Sequence, residues 1–111
     1  MSKTNDTTKS ILNFLFAAGI FSWRQNVLPI PVVGGGFRSG GKSGQPDIVG
    51  ILPNHGKYLG VEIKSGKDKL SDVQIGFHKQ ARNAGALILV VKDFQDFLIQ
   101  WNNFLNSCPK K

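Results

Sequence analysis

Ile11, Phe14, Leu15 and Ala18 are apolar at steps of three and four residues, which predicts a first helix. Gly19 follows and can supply the left-handed residue that ends it. The polar stretch MSKTNDTT ahead of this pattern is expected to fray over residues 1–8. FSWRQNV then reads as a strand bounded by Pro29 and Pro31, with Phe21 and Trp23 packed on the sheet and Arg24 on the opposite face. Residues 32–46 carry many glycines, two basic side chains (Arg38 and Lys42) and no repeated apolar pattern. A loop of that length in a small domain is either functional or disordered.

Beyond the loop the apolar positions become regular again. Residues 47–52 form a short apolar strand, PNHGK is a turn, and YLGVEIK is the next strand, with Glu62 and Lys64 on one face and Val61 and Ile63 on the other. Ser71 followed three positions later by Gln74 is a capping-box pattern that opens a second helix. Val73, Phe77, Ala81 and Ala84 form its expected apolar stripe, and Gly85 ends it. ALILVV is almost wholly apolar, as in a strand covered on both faces. A last helix carries Phe94, Phe97, Leu98, Trp101 and Leu105 at three- and four-residue steps. The predicted order is α-β-β-β-α-β-α, an α/β fold with one mixed central sheet flanked by helices.

Composition narrows this to one small domain over residues 1–111, with 107–111 frayed at its end. Apolar residues make up 41% and aromatics 10%, enough for a modest core. Fourteen Lys and Arg against seven Asp and Glu give a formal charge of +7. Such an excess attracts nucleic acid, or it is a basic bias that aids solubility. Cys108 is the only cysteine, which excludes an internal disulfide and an all-cysteine metal site. There is no apolar run of about eighteen residues and no apolar signal core, so no membrane partner is expected. The expectation is an intracellular protein, in the cytoplasm or inside a host cell.

Residues 36–43 spell G-x-x-x-x-G-K-S, the phosphate-binding loop pattern. That motif needs a helix directly after its Lys and Ser, whose free amides complete the phosphate nest. Here Gly44, Gln45 and Pro46 lead into a strand, so no nucleotide cofactor is expected. Arg38, Lys42 and Ser43 are left either as phosphate contacts for a passing strand of DNA or as plain surface loop. Arg24, Lys67, Lys69 and His78 are further candidate DNA contacts. His55 lies in a turn, and the two histidines have too few neighbours to suggest zinc.

The segment after the loop carries the most chemistry. Adjacent strands could bring the carboxylates of Asp47 and Glu62 together, where one would have to take up a proton. A hard divalent cation removes that conflict by taking oxygen ligands, and the Ile63 backbone carbonyl could add another. Lys64 would then stand near an attacking water or a phosphate. The alternative is an ordinary exposed Glu-x-Lys pair, with Asp47 a turn residue after proline. Gln74 equally divides between a role at such a site and a purely local cap on Ser71.

The run Gly44-Gln45-Pro46-Asp47-Ile48-Val49-Gly50, then Gly60-Val61-Glu62-Ile63-Lys64, then Leu70-Ser71-Asp72-Val73-Gln74, with an Ala84-Gly85 break before a strand, resembles the PD-(D/E)xK nucleases. Within that superfamily, which has the restriction-endonuclease-like fold, it is similar to the virus-type replication-repair nuclease family, VRR-NUC. The similarity extends from about residue 11 to 93. It implies a metal-dependent endodeoxyribonuclease that uses Mg2+, with Mn2+ able to substitute. It further implies branched or junction DNA as substrate and a homodimer. Asp47 and Glu62 would hold the metal, Lys64 would act on water, and Gln74 would support the site. The family's first helix also carries a glutamate, whereas Glu62 is the only glutamate here. Asp6 is the candidate to replace it. A DNA-binding or assembly module that keeps the fold without cleaving is the alternative.

Overall fold

The computed structural model describes residues 3–25, 30–31, 33–35, 37–38, 44–53 and 55–107. Helix α1 (Lys3–Ala17) leads into strand β1 (Phe21–Arg24). A short ribbon, β2 (Ile30–Pro31) with β3 (Phe37–Arg38), precedes β4 (Ile48–Ile51) and β5 (Tyr58–Ile63). Helix α2 (Asp72–Asn83), strand β6 (Leu87–Val91) and helix α3 (Phe94–Ser107) complete the chain. The main sheet runs β1-β4-β5-β6: β1–β4 and β4–β5 are antiparallel, β5–β6 parallel. Antiparallel neighbours need only tight turns, whereas the parallel pair needs a crossover, and α2 supplies it.

Side-chain alternation divides the sheet into two faces. Ile48, Leu59, Val61, Ile63, Leu89 and Val91 face α1 and α3, where Ile11, Leu15, Phe97 and Trp101 close the core. The aromatic rings meet edge to face, Phe14 against Phe97 at 5.5 Å and against Trp101 at 6.2 Å. Gly60, Glu62 and Ile88 belong to the opposite face, under α2.

Both predicted helix stops form as expected. Gly19 (φ 78°) and Gly85 (φ 99°) take left-handed conformations. The amides of Ile20 and Ala86 reach back to the carbonyls of Leu15 and Ala81, at 2.9 Å in each case, closing the glycine-terminated motif of a helix end. Asp93 opens α3 by accepting the Asp96 amide at 2.8 Å, a cap hidden in the sequence by its unremarkable neighbours.

Five expectations need correction. Helix α1 begins at Lys3, so the polar residues from there to Thr8 are helical rather than frayed, and Thr8 is buried. The 32–46 segment is not all loop, since Pro31 and Ile30 pair with Phe37 and Arg38. Phe21 and Trp23 are 70% and 38% exposed and lean on each other at 5.1 Å, because no helix covers that face of β1. The stripe foreseen on α2 is turned as well: Val73 is 54% exposed, and the buried residue of that helix is His78. On α3, Leu105 is exposed while Phe104 packs toward the core. No helix among the described residues is long and apolar enough to cross a membrane.

Candidate active site

The tetrapeptide Gly44-Gln45-Pro46-Asp47 is wedged between α2 and the sheet. Gly44 takes φ 85°, and a Cβ there would lie 2.6 Å from the Val73 carbonyl oxygen. Pro46 is fully buried over Gly60, where a Cβ would lie 2.6 Å from the proline ring. Two glycines therefore make the room that lets this segment enter, and the proline it seats directs the next residue.

That next residue, Asp47, is fixed on two sides. Its carbonyl accepts the Gln25 amide at 2.8 Å, continuing the β1–β4 ladder. Its carboxylate oxygen accepts the Ile63 amide at 2.7 Å. The second bond is possible because β4 begins at Ile48, opposite Val61, so Glu62 and Ile63 run past its end. The amide and carbonyl of one strand residue point the same way. The Ile63 carbonyl therefore leaves β5 on the side where Asp47 stands.

Glu62 projects from the α2 face of β5 and is only 2% exposed. Burial, the Asp47 charge and a hydrogen bond shared with Asp47 push its carboxyl from the usual 4.5 up to about 8, with Lys64 pulling the other way. The two carboxylates thus meet as the sequence suggested, and at neutral pH they accommodate one another through a proton. Oε1 of Glu62 has no hydrogen-bond partner among the described residues. An unpartnered, fully buried carboxylate oxygen is costly to keep.

Lys64 follows at the end of β5, its amide bonded to the Val91 carbonyl at 2.8 Å. It is half-buried, and its charge is felt by both Glu62 and His78. Gln74 closes the capping box, its side-chain oxygen accepting the Ser71 amide at 2.9 Å while its own amide donates to the Ser71 hydroxyl at 3.2 Å. The local cap is what Gln74 visibly does; any role at the site falls to its amide nitrogen.

Other candidates lie elsewhere. His78 is 1% exposed, so it cannot meet DNA; it faces Glu62 at 3.5 Å from Nε2 to Oε1. Asp6 is exposed, on the side of α1 away from Thr8, Ile11 and Leu15, because two helical steps separate it from Thr8 by roughly 200°. The inward residue at that level is Asn5, whose side-chain oxygen accepts from Arg24 at 2.5 Å. Lys67 and Lys69 are exposed beside the site, between β5 and α2. Lys42, Ser43 and the Arg38 side chain lie outside the described residues. From Gly44 the chain passes through Pro46 into β4, so the G-x-x-x-x-G-K-S string is not followed by a helix.

Among the described residues no group of three or more His, Cys, Asp or Glu gathers as a metal cluster. What the site offers instead is two carboxylates, one of them with an unpartnered oxygen, and a backbone carbonyl. That donor set fits Mg2+, which is commonly bound through one or two carboxylates and keeps several waters.

Comparison with known proteins bears on this geometry. No curated protein matches the chain. A solved structure described as a VRR-NUC domain matches with a TM-score of 0.64 and 24% identity, covering 98% of this chain and 100% of its own. At that identity the likeness speaks for the restriction-endonuclease-like fold. The family model for the VRR-NUC domain matches residues 2–93, which takes in α1, the wedged segment, both carboxylates, Lys64, α2 and β6. The chain belongs to the VRR-NUC family of nuclease domains.

Proposed function

We propose that this domain is a metal-dependent endonuclease hydrolysing phosphodiester bonds in DNA, with Asp47, Glu62 and the Ile63 carbonyl holding Mg2+ or Mn2+. The observation that carries the reading is the meeting of Asp47 and Glu62 in a buried position, where one oxygen has no partner and one carboxyl must hold a proton to be tolerated. A divalent ion when bound supplies the positive charge that relieves this repulsion and polarises a scissile phosphate. Asp47, locked by Gln25 and Ile63, presents its carboxylate to Glu62 in a fixed direction. Lys64, whose ammonium stands on the Glu62 side of β5, orients water toward phosphorus and offsets charge that develops on the phosphate. Hydrolysis by water requires no covalent enzyme intermediate. Preference for branched DNA and pairing of two copies rest on the family resemblance.

The test is cleavage of linear, flap and four-way DNA with Mg2+ or Mn2+. Lys64→Ala is expected to reduce the rate by about 100-fold or more, and Glu62→Gln to abolish it. DNA that is bound but never cut with either ion would leave a binding module in place of an enzyme.

A further inference from the structure

Helix α2 places one polar side chain against the sheet, and the proposed reaction does not use it. His78 is 1% exposed, and neither ring nitrogen has a hydrogen-bond partner among the described residues. A buried imidazole without partners is unfavourable unless something it faces requires it. Its Nε2 lies 3.5 Å from Oε1 of Glu62, the same oxygen that Asp47 leaves unpaired. Two orphaned buried atoms thus face each other across one contact. The gap is longer than a hydrogen bond by roughly half an ångström, a spacing that groups at a reaction centre often show before the ligand arrives.

The placement is specific. Ser71 and Gln74 fix the start of α2 through reciprocal capping bonds, and His78 is one turn beyond Gln74 on the same side. The Arg82 guanidinium, one turn further, donates to the Ile88 carbonyl at 3.0 Å and ties the helix to β6. Between these two anchors the imidazole has little freedom to leave Glu62. An N–H at Nε2 has the carboxylate oxygen Oε1 of Glu62 in front of it as its acceptor.

We infer that His78 is a positioning residue: its Nε2–H donates to Oε1 of Glu62 and fixes the direction in which that carboxylate faces a divalent ion. The inference rests on the metal reading above and adds a residue that does not itself touch metal or DNA. Outer groups of this kind typically change metal affinity by about 10- to 100-fold when removed.

Mn2+ binding to the whole chain without DNA, followed by electron paramagnetic resonance, tests it apart from turnover. His78→Leu is expected to weaken binding about 10-fold or more, and His78→Gln, which keeps a donor on a similar reach, to recover most of it. Ring 15N shifts of the unaltered chain should show Nε2 protonated and Nδ1 bare, with the Nε2 signal moving in Glu62→Gln. Equal Mn2+ affinity in His78→Leu, or a ring protonated at Nδ1 alone, overturns the inference and leaves the metal reading standing. Failure of the unaltered chain to bind Mn2+ overturns both.

Discussion

Burying Glu62 beside Asp47 costs folding stability, and the cost has a definite pH dependence. Burial, and after it the Asp47 charge, push its carboxyl from 4.5 up to about 8 in the folded chain. Between those values the folded chain keeps a proton that the unfolded chain has released. The group's contribution to stability is therefore fully present below about pH 4.5, declines as pH rises, and is gone above about 8. Gln at this position is neutral throughout and can still donate to Asp47. Glu62→Gln should melt close to the parent at pH 5 and above it by on the order of 5 °C at pH 8.5 without metal. Mg2+ should raise the parent and leave the variant unchanged, narrowing the difference. Parallel melting curves across that pH range would mean that the carboxyl is ordinarily solvated and the site is misread.

At the scale of elements, the glycines around Pro46 decide where Asp47 stands. A Cβ at Gly60 would come within 2.6 Å of the Pro46 ring and 2.9 Å of Ile88 Cδ1. A proline ring cannot swing aside as a long side chain does, so the wedged segment has to lift. Gly60→Ala is expected to cost about 1–3 kcal/mol in denaturant unfolding and to slow cleavage by about 10- to 100-fold through the displaced aspartate. Gly76→Ala is its control. A Cβ there meets nothing within 4 Å inside α2, and alanine should stabilise that helix by up to about 1 kcal/mol. If the two variants behave alike, Pro46 is not what aims Asp47.

These elements also show what a reader of the sequence could and could not see. The Ser71 cap, the glycine stops and the Glu62–Ile63 alternation are set by bonds or parity within a few residues, and they were legible. The burial of His78, the exposure of Phe21 and Val73 and the outward turn of Asp6 depend on which helix lies over which strands. Alternation gives two faces to every strand but does not say which of them a helix will cover. For β1 the uncovered face is the aromatic one, against the usual expectation for Phe and Trp. Gln74 shows the same limit at one residue: both of its readings have the same sequence signature, and only coordinates display the bond to Ser71.

Across the whole molecule the net charge of +7 must be carried by groups that can reach a polyanion. Lys67 and Lys69 are exposed in the stretch that links β5 to α2, just after Lys64. Arg24, held by Asn5 of α1, ends β1 opposite Ile48. Phosphate neutralisation releases counterions, so affinity should fall steeply with salt, and the slope counts the contacts made. Glu62→Gln, expected to bind without cutting, is the background in which to measure it. Replacing Lys67 and Lys69 together by Ala should flatten the plot of log affinity against log salt by about two, with similar losses on unrelated sequences. An unchanged slope would remove both lysines from the interface.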